Sequence, residues 1–143
     1  MAVIRAQARP TKVGSAEWFT GQAWQDEVVV GTAPSRLRAS HVSFSPGART
    51  AWHAHPIGQT LYVVSGVGRL QLEGESVQEL KPGDTGVIPC DIRHWHGAGP
   101  DHFFVHLAMT EIDDASGGTE WFEHVSDKDY AAVSDPLTEQ QVR

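Results

Sequence analysis

Two histidine pairs give this sequence its chemistry. His53 and His55 stand two apart in GARTAWHAHPIGQTLYVVSG, and His94 and His96 repeat that spacing in GDTGVIPCDIRHWHG. In extended chain a spacing of two sends both imidazoles to one face. Imidazole is the commonest metal-binding side chain, so each pair can supply half of a metal site. Pro56 and Gly58 break the first segment, and Gln59 precedes the extended apolar run Thr60 to Val64. In Phe103 to Met109, His106 shares a face with Phe104 and Ala108, so a third segment can bring another imidazole inward.

The rest of the chain must position these groups. At 143 residues it has the size of one domain with a proper core, and 40% hydrophobic with 20% charged residues is ordinary globular composition. A net charge of −7 disfavours tracking of phosphates, and there is no basic run, helix-turn-helix or zinc-knuckle pattern, so no nucleic-acid partner is expected. Cys90 is the single cysteine, which rules out an intrachain disulfide. The start of the chain lacks the apolar stretch of a signal peptide, and no apolar run approaches the roughly 20 residues of a membrane span. A cytoplasmic protein with a small-molecule partner is expected.

Turn residues punctuate about ten short strands at intervals of roughly 8–12 residues, the pattern of a β-sandwich or barrel. Val3–Arg5 is a candidate edge strand, and Arg9–Ser15 reads as a loop around Pro10 and Gly14. Strands are predicted over 24–31, 38–44, 50–55, 59–64, 68–73, 76–80, 85–88, 93–96 and 103–109, with a last one over 121–125. Residues 97–100, Gly-Ala-Gly-Pro, read as a loop. Ser126 with Asp129 marks the start of a short terminal helix, and the last ten residues read as a frayed tail. Along 38–44, Ser40, Val42 and Phe44 share the inward face. Trp52 and Trp95 alternate with the histidines and are expected to pack on the other side. Arg49 is open between a surface ion pair and a substrate clamp, and Tyr62 between core and interface.

The two histidine stretches resemble the paired motifs of the cupin superfamily. Gly47, His53, His55, Gln59 and Gly66 keep every spacing of the first motif, with glutamine where the family has glutamate. Gly83, Pro89, Asp91, His94 and Ala98 follow the second, with Asp91 and Ala98 replacing a glycine and an asparagine. The resemblance implies an all-β, single-domain jelly-roll barrel over residues 37–112 with a short C-terminal helix. Residues 1–36 would add strands and loops that cover the barrel edge, and 113–143 a last strand, the helix and the tail. It also implies one divalent metal per chain on His53, His55, Gln59 and His94. The runs PGARTAWHAHPIGQTL, RHWHGA and WFEHVSDKDY are similar to small bacterial cupins that act as manganese-dependent hydroxynitrile lyases. In these, positions matching Ser40, Val42 and Thr110 line the pocket, and Phe44 joins them here by its shared face. The resemblance favours manganese over iron, nickel, cobalt or zinc, and a homodimer or homotetramer is expected.

For such a lyase, His106 would take the substrate proton as general base and His96 would hold or relay it. The bland readings stand beside this one: His96 bonded to a carbonyl, and His106 as a satisfied core histidine. Two other functions are open. One is an iron or nickel dioxygenase-type oxidoreductase acting on a small molecule; the other is a cupin that binds a small ligand without catalysis.

Overall fold

The computed structural model describes residues 2–115 and 117–132, so the expected tail lies outside the described residues. Two antiparallel sheets face one another. Strands are numbered in chain order. One sheet has six strands in the order β1 (Thr11–Val13), β3 (Ala23–Val30), β4 (Leu37–Phe44), β12 (Phe104–Glu111), β7 (Gln59–Gly66) and β10 (Thr85–Ile88). The other runs β13 (Glu120–Trp121), β6 (His53–Ala54), β11 (His94–Ala98), β5 (Arg49–Thr50) and β2 (Phe19–Thr20), with β8 (Gly68–Leu72) on the far edge of β11 and β9 (Gln78–Leu80) beyond it. This is the predicted all-β jelly roll. The chain before Leu37 contributes to both sheets, through β1 and β3 on one and β2 on the other.

Four expectations need correction. Val3–Arg5 is not a strand; the edge strand is β1, inside the stretch that reads as a loop, and it pairs with β3 through Val13 opposite Trp24. Its flanking Pro10 and Gly14 mark its ends and do not interrupt it. Gly97 and Ala98 belong to β11 and are not a loop, because a Cβ on Gly97 would collide with the Ala48 and Arg49 backbone. The glycine lets β5 approach this closely. The strand predicted over 121–125 is confined to β13, and the first histidine strand is split into β5 and β6 with a break at 51–52.

Between the sheets Phe19, Val42, Phe44, Val63, Leu80 and Phe104 form a buried core. A second core of Trp52, Val77, Trp95, Val125 and Tyr130 packs on the opposite side of the histidine strands, as the alternation of tryptophan and histidine predicts. The helix α1 (Asp127–Ala131) closes that side. The Ser126 hydroxyl caps it by accepting from the Asp129 N–H at 3.1 Å. Tyr130 donates its hydroxyl to the Ala98 carbonyl at 2.6 Å and stacks on Trp95 at 5.7 Å. Arg49 is neither surface residue nor clamp. It is buried, donates to the Val125 carbonyl at 2.9 Å and the Asp127 carboxylate at 2.8 Å, and lies over the Tyr130 ring. Tyr62, left open between core and interface, stands on the outer face, 46% exposed.

Candidate metal centre

The barrel brings the two histidine pairs together by register. His94 on β11 stands directly opposite His53 on β6, with their rings 4.2 Å apart. The spacing of two then carries His55 and His96 to the same face. Gln59 arrives from β7, just after Gly58 makes the turn at φ 83°, where a Cβ would meet the Ile88 carbonyl at 2.5 Å. The replaced glycine of the second motif is Asp91, which holds φ 58°, a left-handed conformation that aspartate tolerates better than most residues. Its N–H donates to the His55 carbonyl at 2.9 Å, so the two motifs are bonded to each other.

Each of four imidazoles is anchored through Nδ1. His53 and His94 donate to the carbonyls of Ala51 and Ile92, both at 2.9 Å. His55 Nδ1 meets the Thr119 hydroxyl at 3.2 Å, and His96 Nδ1 meets His106 Nε2 at 2.9 Å. The anchors leave Nε2 as the inward atom. Nε2 of His55 and of His96 is buried with no hydrogen-bond partner, as is Nδ1 of His106. Burial holds all five rings neutral: His55 and His94 are pushed down to about 4, His106 to about 3, and His53 and His96 well below the ordinary value. The charges of neighbouring imidazoles add to the effect at His53 and His96.

This donor set fits a divalent cation. Gln59 Oε1 lies 3.1 Å from His94 Nε2. With the His94 proton committed to Ile92, both atoms present lone pairs, and a cation reconciles two acceptors facing each other. One ring nitrogen from each of His53, His94 and His96 lies within 4.8 Å of the other two. The tightest cluster therefore includes His96, which the sequence assigns to proton handling, and omits His55, which the sequence assigns to the metal. The His55 ring is nonetheless only 5.0 Å from His53 and 5.4 Å from His94.

A cavity of about 440 Å³ opens over the histidines. Ser40, Val42 and Thr110 are among its lining residues, together with His53, His55, Gln59, His96 and His106. Phe44 does not; it is fully buried in the core, with its ring 5.4 Å from His106, and so backs the histidine pair from behind. The shared face predicts its direction but not its depth along the barrel.

Known proteins resemble this chain in sequence and fold. Residues 40–103 match the cupin domain family. An (R)-mandelonitrile lyase of Granulicella tundricola is 42% identical over 130 residues, spanning 91% of this chain and 98% of that protein. The chain belongs to the cupin superfamily. Among solved structures, a cupin-like protein of Thermotoga maritima superposes with a TM-score of 0.79 at 38% identity, over 85% of this cupin and 92% of that chain. A polyketide cyclase of Streptomyces resistomycificus shares the fold, with a TM-score of 0.70 at 18% identity over 91% and 90% of the two chains.

Several residues of this cupin's cavity carry no sequence signal. The Trp121 ring lies 4.7 Å from His53 and stacks on Trp18 at 5.0 Å. Thr50 accepts from the His96 N–H at 3.2 Å. Arg38 and Glu111 stand on the open side of the cavity, both exposed. Only the strand predicted over 121–125 hints at the first of these. His102 and His124 are exposed and lie outside the lining, as expected of surface histidines, and Cys90 is exposed as well.

Proposed function

We propose that this cupin is a metal-dependent lyase that cleaves cyanohydrins to an aldehyde and hydrogen cyanide, and joins them in reverse. One observation carries the reading: a buried, mutually bonded pair, His96 and His106, beside an inward cluster of Nε2 atoms, in a chain so similar to a mandelonitrile lyase. His53, His55, Gln59 and His94 would hold one divalent ion, manganese by preference. Three neutral imidazoles and a neutral carboxamide leave such an ion its full charge, and that Lewis acidity is the chemistry it supplies.

The chain's own part follows from hydrogen-bond arithmetic. Two neutral imidazoles bonded to each other need one donor and one acceptor. When His106 donates from Nε2, its Nδ1 is a bare acceptor, and His96 carries its proton on Nε2. One end of the pair takes a proton while the other has one to give. His106 Nδ1 takes the hydroxyl proton of the cyanohydrin. The O–H electrons become the carbonyl π bond, and the C–CN bond breaks with its electron pair on cyanide. His106 Nε2 passes its proton to His96 Nδ1, and His96 Nε2 protonates the cyanide. The pair ends in its other tautomer, from which the reverse reaction starts. Burial makes a lasting imidazolium at His106 costly by several kcal/mol, which favours relay over storage.

Val42, Phe19, Ala108 and Trp121 give the cavity apolar walls that suit an aryl or alkyl substituent. A second copy of the chain would cover the outer face of the six-stranded sheet. Tyr62, Val64 and Val87 are exposed there, beside β10 at the sheet edge. No helix among the described residues is long and apolar enough to cross a membrane.

Metal analysis of protein from unsupplemented growth, with mandelonitrile and oxygen assays on the same sample, tests the function. Manganese with cyanide release supports it. Iron with oxygen consumption and no cyanide points to an oxidoreductase instead, and inertness in both assays to a ligand-binding cupin.

A further inference from the structure

On β13 and the residue before it, Thr119 and Trp121 repeat the two-residue spacing of His53 and His55 on β6. Trp121 pairs opposite His53 and Glu120 opposite Ala54, so the antiparallel ladder brings Thr119 alongside His55. Trp121 covers His53, with the rings inclined at 30°, and Thr119 reaches His55 Nδ1 with its hydroxyl. The C-terminal segment thus backs both members of the first histidine pair.

Among the three histidines assigned to the metal, His55 is the exception. His53 and His94 use carbonyls two residues back in the chain, and a carbonyl can only accept, so each proton is fixed on Nδ1. The His55 carbonyl accepts from Gly58 and Asp91, and its ring finds its partner 64 residues further on. We propose that Thr119 is a positioning residue of the metal centre, whose hydroxyl sets the rotation and tautomer of His55 so that its partnerless Nε2 faces the cluster. This rests on the reading of His55 as a ligand. Without the hydroxyl, the buried Nδ1 loses its partner, and the ring turns to satisfy one nitrogen or the other. Groups that hold a ligating histidine in this way are typically worth about 10–100-fold in metal affinity.

The test is titration of Mn²⁺ into chelator-stripped protein, with free Mn²⁺ read by electron paramagnetic resonance, for wild type, Thr119→Val, Thr119→Ala, Thr119→Ser and His55→Ala. Thr119→Val and Thr119→Ala should each weaken binding by about tenfold or more, and Thr119→Ser should restore it. The metal-free variants should melt with the wild type, which assigns the loss to the site and not to the fold. Wild-type affinity in both hydroxyl-less variants, with affinity lost in His55→Ala, would overturn the role of Thr119 alone. Equal weakening in Thr119→Ser would overturn it too. Undiminished affinity in His55→Ala would instead remove His55 from the ligand set.

Discussion

In the proposed metal centre, Gln59 would decide how much charge the bound ion keeps. Glutamate at that position would cancel one unit of the ion's charge a few ångströms from the reacting atoms; the carboxamide cancels none. Gln59→Glu should therefore retain the metal and lower turnover by about tenfold or more, measured per bound metal. Undiminished turnover with metal bound would contradict the charge argument. The histidines themselves make a prediction about pH. Their folded values lie below the ordinary 6.5, at about 4 for His55 and His94, so the folded chain binds fewer protons than the unfolded one between those limits. Stability of the metal-free protein is then full above about pH 7 and falls as pH drops through 6 toward 4. Urea unfolding at pH 7.5 and 5.0 should show a loss of several kcal/mol at the lower pH, and equal stability would contradict burial of neutral rings. At this scale the sequence shows which imidazoles gather, because a spacing of two in extended chain fixes the face. It does not show which nitrogen points inward, since Ala51, Ile92, Thr119 and His106 decide that, and two of these belong to other segments of the chain. Nor does it show that Arg49 is buried, which depends on the Val125–Tyr130 segment folding back over it.

The strands legible in the sequence are those with several alternations between turn residues. β4, β7, β10 and β12 appear within a residue or two of their predicted ends. The short strands β1 and β2 are not legible, and β13 is legible only at Trp121, because so short a stretch holds too little periodicity and is defined by its partner across the sheet. The break of the first histidine strand into β5 and β6 is likewise a matter of pairing: β11 meets Arg49 through Gly97 and His53 through His94. The C-terminal helix is legible from its cap, and its role is to seal the second core. Tyr130→Phe removes the donor to the buried Ala98 carbonyl and should cost about 1–3 kcal/mol in urea unfolding. A change indistinguishable from zero would mean that the helix does not hold β11 from behind.

At the scale of the molecule, one sheet presents an apolar outer face and the two sheets together enclose a cavity with histidines at its base and apolar walls. If a second copy covers the outer face, Tyr62→Lys with Val87→Lys should yield a monomer by sedimentation while the cavity's metal content stays at the wild-type value. Wild-type protein that sediments as a monomer would contradict the assembly. Enclosure matters for the chemistry, since it keeps the bonded histidine pair neutral and out of bulk water, where relay gives way to exchange with solvent. The claim that unites residue, strand and barrel is that this pair moves the proton in a reaction made possible by the neighbouring centre. It is tested by benzaldehyde formation from mandelonitrile, followed in manganese-loaded wild type and in His106→Ala of equal metal content. Turnover in the wild type and a loss of about 10²-fold or more in the variant are expected. Equal turnover in the two proteins, at equal metal content, would contradict it.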